Sequence, residues 1–85
     1  MNTTENKFFA LVDALSKEGL VIESEKLDFL INKVVWTTGS EFLGEFGIKM
    51  KEIKETCWGN MQDQTKTVFS DAAKEVLHVW PEIGL

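Results

Sequence analysis

The chain contains no arginine: all nine of its basic residues are lysine, set against 14 acidic residues for a formal net charge of -5. Guanidinium is the usual bidentate reader of guanine and the usual clamp for phosphate or carboxylate. Its absence argues against nucleic-acid recognition and phosphoryl chemistry. The negative balance adds repulsion from any polyanion, so a nucleic-acid partner is not expected. Cys57 is the only cysteine and His78 the only histidine. One thiol cannot close an internal disulfide, and one thiol with one imidazole does not make a metal-ligand set. No metal or cofactor is therefore expected, and Cys57 reads as a small half-buried side chain. His78 has no serine, cysteine or second histidine at a spacing that would assemble a site, so catalysis is not expected either. Long apolar runs are missing too. Phe8 to Val12 and Leu20 to Ile22 fall far short of a membrane span, and the polar start Met1-Asn-Thr-Thr-Glu-Asn lacks the basic and apolar regions of a signal peptide. These features set the expectation of a cytoplasmic protein with no membrane partner.

What is present reads as one all-helical domain over residues 1–85, with a core so small that part of its apolar surface could need a partner to cover it. The expected fold is a compact four-helix bundle or half of an intertwined helical dimer, with helices near 4–18, 24–38, 40–58 and 60–80. Thr3 or Thr4 can cap the first helix, whose stripe is Phe8, Leu11, Val12 and Leu15. Gly19 stops it, and the offsets suit a Schellman ending in which Leu20 folds back onto Leu15. Leu20-Val-Ile is read as a connector, with Ser24 capping the second helix. That helix has a core stripe of Leu27, Leu30, Ile31, Val34 and Val35. At about 100° per residue, Phe29 and Trp36 fall together on its opposite side. Thr37-Thr-Gly-Ser ends the second helix at Gly39 and starts the third at Ser40. Gly59, left-handed, and Asn60, as cap, separate the third helix from the fourth. The fourth has a broad stripe of Met61, Val68, Phe69, Ala72, Ala73, Val76 and Trp80, and Pro81 ends it.

The stretch Glu41 to Ile53, EFLGEFGIKMKEI, admits two readings. As one straight helix, Leu43, Phe46, Met50, Ile53 and Cys57 form a heptad-like seam, while Ser40, Gly44 and Gly47 lie on an adjoining face where another helix could approach closely. This reading costs about 1 kcal/mol for each interior glycine and leaves Ile48 on the polar face, so Gly47→Ala should stabilise it. Bent at Gly47, the same stretch is similar to helix-turn-helix sequences, with Lys49 to Trp58 as the second helix. That helix, KMKEIKETCW, offers three lysines interspersed with two glutamates and nothing that reads bases well. The straight helix is preferred, because the seam is continuous and no capping residue follows Gly47.

The expected function is therefore non-catalytic: a small acidic protein-interaction or regulatory module, self-associating as a homodimer or binding another protein. Its expected interface residues are Phe29, Trp36, Ser40, Gly44, Gly47 and Ile48, since large aromatics are enriched in interface cores and small residues permit close approach. The alternatives are a small helix-turn-helix DNA-binding regulator and an acidic inhibitor or immunity-type protein that binds a basic enzyme surface. Ser40 stands in Gly39-Ser40-Glu41, not in the Asp-Ser-Leu of acyl carrier proteins, and is not read as a prosthetic-group site.

Overall fold

The computed structural model describes residues 3–85, and their side chains from residue 6 onward. Four α-helices follow one another: α1 (Thr3–Lys17), α2 (Val21–Asn32), α3 (Gly39–Cys57) and α4 (Asp63–Val79). Single 3-10 turns, Trp58–Asn60 and Pro81–Ile83, follow α3 and α4. Each helix packs against its sequence neighbours, and α4 returns to α1, closing the ring. Lys7 at one end of α1 pairs with Glu75 late in α4, whereas Glu18 at the other end accepts from the backbone N–H of Gln62 before α4. The two helices are thus antiparallel.

Of the two expected packings, the compact bundle is the one found. A radius of gyration of 11.7 Å matches the value of about 12 Å for a folded single domain of this length. The accessible surface of 5180 Å² likewise matches the figure of about 5100 Å² that size scaling gives for a compact monomer. Half of an intertwined dimer would expose more.

The core follows the expected stripes on α1, α3 and α4, except that Trp80, assigned to the α4 stripe, lies beyond the end of that helix and is exposed. Phe8, Leu11 and Leu15 from α1 are buried, as are Phe46, Met50, Ile53 and Cys57 from α3 and Phe69, Ala72, Ala73 and Val76 from α4. Phe8 lies 4.5 Å from Phe46 between ring centroids and meets the edge of Phe42 at 5.6 Å, so α1 and α3 touch across the bundle through aromatic rings. The Schellman ending is present: Leu20 N–H donates to Leu15 O at 2.9 Å and Gly19 N–H to Ser16 O at 3.1 Å. Gly19 adopts φ 94°, which a side chain would oppose. The expected Thr3 or Thr4 cap lies outside the described side chains.

Several boundaries differ from expectation, each for a local reason. α2 starts at Val21, so Val21 and Ile22 belong to its first turn and are not a connector. Ser24 does not cap. It is buried inside α2, where its Oγ donates to the Val12 carbonyl at 2.9 Å and ties α2 to α1. α2 then ends at Asn32, well before Trp36. The following Val-Val-Trp-Thr-Thr run is β-branched or aromatic and weakly helical. The Trp36 indole also donates to the Leu30 carbonyl at 2.7 Å, satisfying one of the carbonyls freed at the helix end. Val35 is consequently 98% exposed and not part of the core.

α3 begins at Gly39 with Thr38 as N-cap, its hydroxyl accepting from Glu41 N–H at 3.1 Å. Gly39 thus opens α3 and does not close α2. α3 then runs unbroken through Gly44 and Gly47 to Cys57, so the chain does not bend at Gly47. Gly59 is not left-handed, since only Gly19 and Gly84 have positive φ among the described glycines. The N-cap position of α4 is Gln62 and not Asn60; it has no side-chain cap, and the Glu18 carboxylate sits on its N–H.

Candidate functional site

Few reactive groups come together among the described residues. Among the described residues there is no cluster of three or more His, Cys, Asp or Glu side chains able to hold a metal ion. Cys57 is buried, with its sulfur 3.4 Å from the Thr56 hydroxyl. His78 is exposed in the last turn of α4, where a cation suits the helix dipole. A cleft of about 310 Å³ between α2 and α3 is lined by Glu23, Lys26, Lys49, Glu52, Ile53, Glu55 and Thr56. Lys49 Nζ lies 2.9 Å from Glu52, and that hydrogen bond, with the charge of Lys49, holds the Glu52 carboxyl below its ordinary range. The cleft therefore neutralises much of its own charge. Trp58 is likewise engaged, with Lys54 and Lys66 ammonium groups 5.3 and 5.4 Å from its ring centroid. Among the described residues no helix is long and apolar enough to cross a membrane.

Among the described residues, and apart from the exposed Phe9, Val21, Val35 and Val79, two apolar surfaces remain. The first is the outer face of α2. At helical spacing, Ile22, Glu25, Lys26 and Phe29 fall on one side, with Ile22 64% and Phe29 54% exposed. Apolar residues stand at the two ends of this face and an acid–base pair stands between them.

The second surface is a shallow groove of about 360 Å³ between α3 and the segment after α4, lined by Glu41, Gly44, Glu45, Ile48, Trp80, Glu82 and Ile83. Pro81 stops α4 and turns the chain through a 3-10 turn, which carries Ile83 back over α3. The absence of side chains at Gly44 and Gly47 lets this segment settle there. A methyl group at Gly44 would stand 3.3 Å from Trp80 Nε1, and one at Gly47 only 2.5 Å from Val76 Cγ1 and 2.7 Å from Ile83 Cδ1. The Trp80 indole N–H donates to the Ser40 carbonyl at 2.8 Å, fixing the ring over Gly44. Ile48, 48% exposed, forms an apolar side of the groove. Glu41, Glu45 and Glu82 have no ion-pair partner among the described residues.

The six expected interface residues are thereby separated. Gly44 and Ile48 line the groove, Ser40 accepts the Trp80 hydrogen bond at its edge, and Gly47 is buried beneath Ile83. The close approach that Gly44 and Gly47 permit is made by the chain's own Trp80, Val76 and Ile83. Phe29 stands apart on α2. Trp36 is not on the Phe29 face: it lies in the connector, half-buried, with its ring edge on Phe42 at 5.8 Å. Sequence reading missed Ile22, Trp80, Ile83 and the three glutamates as surface partners. The alternation in Pro81-Glu-Ile-Gly-Leu hinted at a tail with one apolar side, but nothing local says that it folds back over residues 40 to 48. No protein-family model, curated protein or solved structure matches the chain.

Proposed function

We propose that this protein is a non-catalytic interaction module that self-associates through the outer face of α2. The observation that carries the reading is the order of residues on that face: Ile22, then Glu25 and Lys26, then Phe29. Two antiparallel copies of α2 related by a two-fold axis would place Ile22 against the partner's Phe29 and Glu25 against the partner's Lys26, each contact occurring twice. Glu25 has no ion pair among the described residues, and Lys26 acts on Glu52 through its field. Both are available to a second copy.

Light scattering at micromolar concentration should report a mass above that of the 9.7 kDa chain. Phe29→Glu should bring it down to the monomer with helix content unchanged, because the side chain is more than half exposed. A wild-type monomer at high concentration would overturn the self-association. A helix-turn-helix reading would require the bend at Gly47 that α3 does not make. The reading as an acidic protein for a basic partner is favoured by the second surface, with its three glutamates around an apolar groove.

A further inference from the structure

The groove between α3 and the C-terminal segment cannot serve the same occupant as the α2 face. Its floor and sides are apolar, formed by Trp80, Ile83 and Ile48, yet the acidic groups along it all carry one sign. A second copy docked there about a two-fold axis would set Glu41, Glu45 and Glu82 against themselves, which disfavours that dimer. A heterologous contact with another copy fares little better. Of the nine lysines, four are held in ion pairs and two lie on the Trp58 ring; of the other three, Lys26 serves the α2 face, Lys33 follows that helix and Lys51 lies beside Gly84, next to the groove itself. A divalent cation is not indicated either, because the three carboxylates do not converge as a metal-ligand group.

We infer that the groove docks a cationic segment of a different protein. An apolar side chain of that segment rests on Trp80, Ile83 and Ile48, and flanking lysine or arginine side chains meet Glu41 and Glu45 on α3 and Glu82 on the C-terminal turn. The inference rests on the reading of this chain as an interaction module and assigns the partner's chemistry. The apolar contact supplies the desolvated centre of the interface and the glutamates supply the charged rim, the usual division of roles in protein docking. The Trp80 ring is already fixed by its hydrogen bond to Ser40 and its seat on Gly44, so little ordering is needed on binding.

The test uses three short synthetic peptides: lysine with leucine, lysine with serine, and glutamate with leucine. Each is titrated into the isotopically labelled full chain, with the Trp80 indole N–H and the Gly44 and Ile48 amides followed by NMR. The lysine–leucine peptide should shift these signals and leave those of Ile22 and Phe29 in place. The lysine–serine peptide should bind at least about tenfold more weakly, as should the lysine–leucine peptide to a Glu45→Lys/Glu82→Lys variant. Both substituted residues are exposed and unpaired, so the variant should keep the wild-type helix content. Equal binding of both cationic peptides, indifference to the double substitution, shifts centred elsewhere, or no shift at about 1 mM peptide would each overturn the proposal. The last outcome with wild-type self-association intact removes the groove and spares the α2 reading. Loss of self-association with the groove response intact does the reverse.

Discussion

The outer face of α2 and the groove beside α3 both present apolar side chains to solvent, and they differ mainly in the charges around them. On α2, Glu25 and Lys26 of opposite sign lie between Ile22 and Phe29. In the groove, three glutamates surround Trp80, Ile48 and Ile83. Apolar contact is indifferent to the partner's identity, whereas charge is not. A face carrying both signs can match its own copy, and a face carrying one sign repels it. We therefore propose different occupants for the two surfaces, on a molecule whose total charge of -5 says nothing about either.

The groups between the two surfaces can be used to break this contrast, beginning with the largest effect. Trp36→Glu should cost about 2–3 kcal/mol in a denaturant melt. It removes the indole donor to Leu30, takes an aromatic edge from Phe42 and brings a carboxylate toward the ring cluster. A loss below about 0.5 kcal/mol would place Trp36 with the solvent-facing residues and return it to the Phe29 face.

Gly47→Ala should cost about 1–2 kcal/mol. The gain in helix propensity, about 1 kcal/mol, is outweighed by overpacking against Val76, which is fully buried and has no room to retreat, and against Ile83. The same substitution should disturb the groove and leave self-association through α2 unchanged. A stabilised variant would show that the C-terminal segment does not press on α3.

Ile48→Lys, one residue along, should change stability by no more than about 0.5 kcal/mol, because the side chain is half exposed on an unbroken helix. It should nevertheless abolish the response to the lysine–leucine peptide by removing an apolar side of the groove and adding a like charge. A loss of several kcal/mol would mean that Ile48 is a core residue.

These neighbouring positions show how much of the molecule is legible in its sequence. The stripes of α1 and α3 and the Gly19 ending are local patterns, and they hold because nothing distant competes with them. Ser24 reads as a cap because its hydroxyl is followed by an apolar stripe; the α1 backbone that takes that hydroxyl is set by tertiary packing. Trp36 was placed on the α2 surface by carrying helical periodicity past the point where β-branched residues end the helix. The pattern Thr38-Gly-Ser-Glu41, a capping-box spacing, was available to mark the start of α3 two residues earlier. At Gly47 propensity gives the straight helix and favours alanine, whereas the side chains of Val76 and Ile83 oppose a methyl group there, and these contacts join residues far apart in the chain. The groove was only half legible for the same reason. Its α3 side reads as a small-residue face, and the segment that covers it, from Trp80 to Ile83, lies beyond the end of α4.

The most direct test of the contrast between the surfaces is sedimentation equilibrium on three proteins: wild type, Glu25→Lys, and Glu25→Lys/Lys26→Glu. Wild type should self-associate. Glu25→Lys should weaken association by about fivefold or more, because two like-charge contacts replace two attractive ones. The double substitution should restore it by reversing both partners of each pair. Association that is equal in all three proteins, or is not recovered in the double variant, would contradict the antiparallel α2 pairing and with it the claim that charge pattern assigns each surface its occupant.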